Sequence, residues 1–188
     1  EEGVLRGLYR YKAAAGKKPL HVNLFGSGSI MNQVLAAQDL LAESFGISAD
    51  VWGATSYALL RNDAIACERW NRLHPTEKAR VPWISKVLEG AQGPFIAASD
   101  YVKAVPDLVA RWIPGRFVPL GTDGFGMSDT REALRRHFEV DAPSLAYAAL
   151  DPLRLANDRH EKVAKTRVLG QERLPFSPTR STERALYA

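Results

Sequence analysis

Gly26-Ser27-Gly28-Ser29 is the segment whose residue types and spacing come nearest to binding chemistry. It follows a short apolar run and precedes a helical stripe. A turn so placed aims the first backbone N–H groups of a helix, and the positive end of its dipole, at whatever lies above the strand, which suits phosphate or carboxylate. The motif is incomplete. Met31 stands where a dinucleotide fingerprint carries its third glycine, and no Lys-Ser/Thr pair follows as in a P-loop. Two readings stay open at Gly26, Ser27, Gly28 and Ser29: a tight structural turn with a helix cap, and an anion-binding turn.

Other reactive residue types lack the spacing that catalysis or metal binding requires. His21, His74, His137 and His160 are the four histidines; no two are four residues apart, and His160-Glu161 is not completed by a second histidine. The zinc-protease pattern therefore fails, and no metal site is expected. No Gly-x-Ser-x-Gly elbow occurs, so a serine hydrolase has no support. Asp123 and Asp129 could in type serve acid–base work, but both stand where turn and cap geometry accounts for them. Cys67 falls on the apolar stripe of a helix and reads as a buried, inert thiol. Trp70, Trp83 and Trp112 read as core or interface aromatics. No catalytic residue is assigned.

Strand-like and helix-like stretches alternate between residues 20 and 150, so the elements that would carry these side chains form an α/β fold. His21–Phe25 reads as a strand. Ser29 then caps a helix with Ile30, Val34, Ala37, Leu41 and Phe45 on one stripe, and Gly46 stops it. Val51–Ala54 is a second strand, followed by Thr55 or Ser56 as cap and a helix turning Leu60, Ala64, Cys67 and Trp70 inward. A short helix begins at Pro82, and Phe95–Ala98 is a third strand. Pro106 starts or kinks a helix to Trp112 and Ile113. Phe117–Leu120 is a fourth strand, Asp129 and Glu132 have capping-box spacing for a helix through Phe138, and Pro143 begins a last helix to about Leu150. Short apolar strands joined by helical crossovers favour a mostly parallel sheet covered on both faces, with ligands at the carboxyl ends of the strands.

Composition narrows the class. The chain has 188 residues, 46% hydrophobic and 24% charged, with one cysteine, so no intramolecular disulfide can form and a reducing, cytoplasmic setting is expected. No run approaches 18 apolar residues, and Glu1-Glu2-Gly3 is neither a basic leader nor an apolar signal region, so neither membrane nor export is expected. The net charge of +4 is concentrated in residues 151–188, which hold eight Lys/Arg and five Asp/Glu. The body carries no concentrated basic face, which argues against nucleic-acid binding. Residues 1–19 read as a linker with one amphipathic turn around Val4, Leu5 and Leu8, residues 20–150 as the domain, and residues 151–188, interrupted by Pro152, Pro175 and Pro178, as a weakly ordered basic tail. The chain begins without Met and is read as a piece of something longer.

Four stretches, in this order, are more specific: Leu24 to Ile30, Cys67-Glu68-Arg69-Trp70-Asn71-Arg72-Leu73-His74-Pro75, Ser99-Asp100-Tyr101, and Gly121-Thr122-Asp123-Gly124-Phe125-Gly126-Met127-Ser128-Asp129-Thr130-Arg131 running on to Asp141. Over about residues 3–150 they resemble the C-terminal domain of the bacterial homodimeric pyruvate dehydrogenase (acetyl-transferring) family. The resemblance implies a three-layer, five-stranded, mostly parallel sheet of the transketolase C-terminal type. It also implies a whole enzyme, an oxidoreductase of glycolytic carbon, that decarboxylates pyruvate on thiamine diphosphate and Mg2+ and passes acetyl to the lipoyl group of dihydrolipoyl acetyltransferase. In that family the cofactor is held by preceding domains, whose diphosphate motif begins Gly-Asp-Gly; no Gly-Asp-Gly occurs here. The expectation is an accessory lobe that contributes to a homodimer, with no cofactor of its own. The alternatives are a stand-alone phosphate- or nucleotide-binding module, the equivalent domain of another transketolase-like enzyme, and an interaction domain that recruits the acyltransferase through the basic tail.

Overall fold

Alternating apolar residues along two central strands decide which helices cover each side of the sheet. The computed structural model describes residues 1–16 and 18–153. In chain order the elements are α1 (Glu2–Arg6), β1 (Leu8–Lys12), β2 (His21–Gly26), a 3-10 turn (Gly28–Ile30) leading into α2 (Met31–Phe45), β3 (Ser48–Ala54), α3 (Tyr57–Leu73), α4 (Trp83–Val87), β4 (Phe95–Ala98), α5 (Ala104–Asp107), a 3-10 turn (Ala110–Trp112), β5 (Phe117–Leu120), α6 (Arg131–His137) and α7 (Ala142–Leu150). The strands form one five-stranded sheet in the order β1-β3-β2-β4-β5. All neighbours are parallel except β1, which runs antiparallel to β3 from Leu8 opposite Ala54 to Lys12 opposite Val51, with a bulge on the way.

In β2, Val22 and Leu24 point to one face, where they meet Val34, Ala37 and Leu41 of α2 and Leu145, Ala149 and Leu150 of α7. Phe25 points to the other, among Leu8, Trp52, Tyr57, Leu60, Ile84, Leu88, Phe95 and Val109. Both layers are fully buried, which is what parallel crossovers with helices on both sides require. Asn23 shares the second face and is wholly buried; its amide donates to the Gln92 carbonyl at 2.8 Å and accepts from the Trp52 indole at 3.0 Å, so neither end is left without a partner.

Several local expectations need correction. Residues 8–12, inside the stretch read as a linker, are the antiparallel edge strand. Leu8 is fully buried, and the Trp83 indole donates to its carbonyl. The Pro106 segment is two short turns rather than one helix to Ile113. Ser29 is not a cap: it lies within the 3-10 turn and its hydroxyl goes elsewhere, while α2 starts with no side-chain cap. For α6 the cap is Thr130, whose Oγ1 accepts from Ala133 N–H; Asp129 instead accepts from Thr130 N–H. Cys67 and Trp70 are partly exposed rather than inward. Of the tail read over 151–188, the part from residue 154 onward lies outside the described residues.

Candidate functional site

Strand order reverses between β2 and β4. From β2 the chain passes to β3 on one side; from β4 it passes to β5 on the other. A doubly wound sheet opens its crevice at such a point, above the carboxyl ends. Here those ends are Gly26-Ser27-Gly28-Ser29 after β2 and Ser99-Asp100-Tyr101 after β4, so the fold brings together two of the four motif stretches.

Ser27 is the hub. Its backbone is extended (φ −133°, ψ 140°), its side chain is buried, and its Oγ donates to the Ala54 carbonyl at 3.0 Å while accepting from Tyr101 Oη at 2.8 Å. The hydroxyl therefore ties the ends of β2, β3 and β4 together and is not free for a ligand. Gly26 lets α2 close in: a Cβ there would meet the Met31 thioether at 2.9 Å. Gly28 has φ of +54°, in the region that favours glycine, and starts the 3-10 turn. Ser29 Oγ donates to Asp100 Oδ2 at 3.2 Å, and Arg135 donates to the Ser29 carbonyl at 3.3 Å. The Asp100 carboxylate thus faces the very turn where an anion would sit, and like charge would oppose it.

The third stretch over this end, 121–130, is fastened at its base. Thr122 N–H donates to the Tyr101 carbonyl, Asp123 accepts from Lys103 N–H at 3.0 Å, and Lys103 Nζ lies 2.9 Å from Asp123 Oδ2. The bonds from Lys103 hold the Asp123 carboxyl below its ordinary value. A Cβ on Gly121 would strike the Tyr101 carbonyl, so only glycine permits this approach. Asp123 and Asp129 are engaged in turn and cap bonds, and no acid–base pair forms between them. Burial raises the pKa of Tyr101 and, more strongly, that of Tyr57, whose Oη is enclosed with no hydrogen-bond partner among the described residues.

The second motif, 67–75, lies away from this crevice and does structural work. Trp70 is sandwiched between the His74 ring at 4.4 Å and the Arg80 guanidinium at 4.1 Å, and Asn71 both donates to and accepts from the Arg80 backbone. Glu68 accepts from the Trp112 indole at 2.8 Å and pairs with Arg111. Cys67 is a free thiol whose pKa is raised, mainly by burial and then by Asp63. Among the described residues no three His, Cys, Asp or Glu side chains converge as a metal site would need. The sequence singled out the Ser99-Asp100-Tyr101 stretch but gave no signal that Tyr101 would reach Ser27, because that contact exists only once β2 and β4 are neighbours.

Residues 7–141 match the family described as the transketolase-like TK C-terminal domain. The chain is 45% identical over 152 residues to the pyruvate dehydrogenase E1 component of Mycobacterium tuberculosis, covering 81% of this chain and 16% of that protein. It is 44% identical over 164 residues to the E1 component of Escherichia coli K12, covering 87% and 18% respectively. It thus spans less than a fifth of the length of these curated relatives. Among solved structures, a Pichia stipitis transketolase in complex with sedoheptulose-7-phosphate superposes with a TM-score of 0.52 at 16% identity, over 80% of this chain and 18% of that one. A split-gene transketolase, solved as an inactive beta4 tetramer, superposes with a TM-score of 0.51 at 19% identity, over 79% and 42%. At such identities the likeness concerns the fold: a five-stranded, mostly parallel sheet with helices on both sides.

Proposed function

This chain belongs to the transketolase-like C-terminal domain family, and on that premise we propose that it is the accessory lobe of a pyruvate dehydrogenase E1 enzyme whose chemistry takes place on other domains. The observation that carries the reading is the identity of 43–45% to E1 components across 81–87% of the chain, against 16–19% for transketolase structures of the same shape. The complete enzyme would decarboxylate pyruvate on thiamine diphosphate with Mg2+ and transfer acetyl to the lipoyl group of dihydrolipoyl acetyltransferase, as a homodimer in the cytoplasm.

The residues present do not fit that cofactor. A divalent metal on a diphosphate calls for converging oxygen ligands, carboxylates among them. Among the described residues no acidic cluster supplies them, and Asp123, the carboxylate of the Gly121–Gly124 turn, is held by Lys103. What the lobe's residues do is hold one end of the sheet rigid. Ser27 and Tyr101 lock three strand ends, and Lys103 with Asp123 fixes the 121–130 loop above them.

The same geometry argues that the Gly26–Ser29 turn is structural, since the Ser27 hydroxyl is spent and the Ser29 hydroxyl donates to Asp100. The test of the function is pyruvate decarboxylation with thiamine diphosphate and Mg2+. The complete reading frame containing this chain should release CO2 from pyruvate, and the 188-residue chain should not; a complete polypeptide inert toward pyruvate contradicts the reading.

A further inference from the structure

Asp123-Gly124 is the only place in the chain where an aspartate or asparagine precedes glycine. The pairing has a chemistry of its own. The carboxyl carbon of an aspartate can close a five-membered ring onto the amide nitrogen of the next residue, and glycine offers no side chain to obstruct it. Asp100 and Asp129, by contrast, are followed by Tyr101 and Thr130, whose bulk or β-branching crowds that nitrogen.

The fold leaves this dipeptide open. Residues 121–130 form neither helix nor strand, and both Asp123 and Gly124 are exposed. Gly124 has φ of +75°, and apart from its chain neighbours no atom lies within 4 Å of its would-be Cβ. Among the described residues nothing accepts from its N–H. One restraint stands in the way. Lys103 engages both carboxylate oxygens, its N–H donating to Oδ1 at 3.0 Å and its ammonium lying 2.9 Å from Oδ2. Cyclisation requires the carboxyl to swing onto the Gly124 nitrogen, and requires it protonated so that a hydroxyl can leave. The clasp opposes both, since it points the carboxylate at Lys103 and holds the carboxyl below its ordinary value.

We propose that Asp123-Gly124 is a site of covalent self-modification, where aspartate isomerises to isoaspartate through a succinimide, and that the Lys103 clasp sets its rate. The Gly124 nitrogen gives its proton to solvent and bonds to Asp123 Cγ, while the carboxyl hydroxyl leaves and takes up a proton as water. Water then opens the ring. Attack at Cγ restores aspartate; attack at the Asp123 backbone carbonyl breaks that C–N bond and leaves the chain running through the side chain. No oxidant or reductant takes part, and the water released is taken up again. The product has one more carbon in its backbone and its carboxylate on a shorter stem, so Lys103 can no longer meet both oxygens from its present place. The base of the loop that carries Phe125, 96% exposed, is thereby unfastened.

The test is the rate at which isoaspartate accumulates at residue 123 at neutral pH, counted by electron-transfer fragmentation in the mass spectrometer. The 188-residue chain is compared with a synthetic peptide of residues 118–129, which lacks Lys103. The folded chain should react at least about fivefold more slowly, because each pKa unit lost at the carboxyl removes about nine-tenths of its reactive, protonated form. Lys103→Met keeps the aliphatic stem without the charge and should raise the rate at least about threefold, while Lys103→Arg stays near the parent value. The comparison with the peptide involves no variant and holds whatever the substitutions do to folding. Equal rates in chain and peptide overturn the clasp, as does Lys103→Met reacting no faster than the parent. Isoaspartate forming at Asp100 or Asp129 as fast as at Asp123 overturns the site. Amide exchange over residues 124–128 should quicken in the isomerised fraction; unchanged exchange overturns the release of the loop.

Discussion

Removing the hydroxyl at Ser27 leaves Tyr101 Oη without its acceptor and the Ala54 carbonyl without a donor, in a buried place where water does not readily substitute. Ser27→Ala should therefore cost about 1–3 kcal/mol, against a few tenths for Ser29→Ala, whose bond to Asp100 is exposed. Thermal denaturation checks this: at about 2–4 °C per kcal/mol for a chain of this size, the Ser27 variant should melt several degrees lower and the Ser29 variant almost unchanged. Equal melting temperatures would remove Ser27 from its place as the tie between strands. Asp123 gives a pH-dependent counterpart. Its folded pKa is depressed by Lys103, so the stability it contributes is present above the ordinary carboxylate pKa and is lost as pH falls through the lowered folded value. Both side chains are more than 40% exposed, which limits the contribution to below about 1 kcal/mol. Chemical denaturation between pH 7 and pH 2 should show Asp123→Asn losing less stability on acidification than the parent chain; parallel curves would contradict the pairing.

At the scale of elements, helix caps and buried stripes carry the fold. Ser56 accepts from Leu59 N–H at the start of α3, and Ser56→Ala should cost about 1 kcal/mol. Leu41 of α2 is fully buried between the sheet and α7, and Leu41→Ala should cost about 2–5 kcal/mol. Urea unfolding distinguishes the two; a smaller loss at Leu41 than at Ser56 would mean the α2 face is not the core described. These are the parts that the sequence made legible. The β2–turn–α2 unit, β4, β5 and α7 follow from contiguous apolar runs and periodic stripes bounded by Gly and Pro. What stayed hidden depends on partners distant in sequence. Leu8-Tyr9-Arg10-Tyr11-Lys12 has no strong strand pattern by itself, and becomes a strand because it pairs with β3 and buries Leu8. Trp70 looked inward by spacing, yet it packs between His74 and Arg80, a sandwich made by a loop folding back onto its own helix. Thr130 rather than Asp129 caps α6, a difference of one residue that side-chain geometry settles.

The whole molecule divides its properties between two ends of one sheet. At the carboxyl end, hydrogen-bonded strand termini, a fastened loop and exposed apolar side chains form a surface; nowhere among the described residues do acidic groups converge to hold a metal. No helix among them is long and apolar enough to cross a membrane. The site residues read from the sequence, Gly26 to Ser29, were legible as a turn at the crevice, but the charges beside it, Asp100 and Arg135, arrive from segments more than 70 residues away. Inorganic phosphate should accordingly leave the melting temperature unchanged, whereas a ligand at 100 times its dissociation constant would add about 2.7 kcal/mol of stability. The central claim, that this lobe leaves cofactor chemistry to the rest of an E1 enzyme, is tested most directly by calorimetric titration of the 188-residue chain with thiamine diphosphate in the presence of Mg2+. The account predicts no saturable heat; micromolar binding to this chain alone would contradict it.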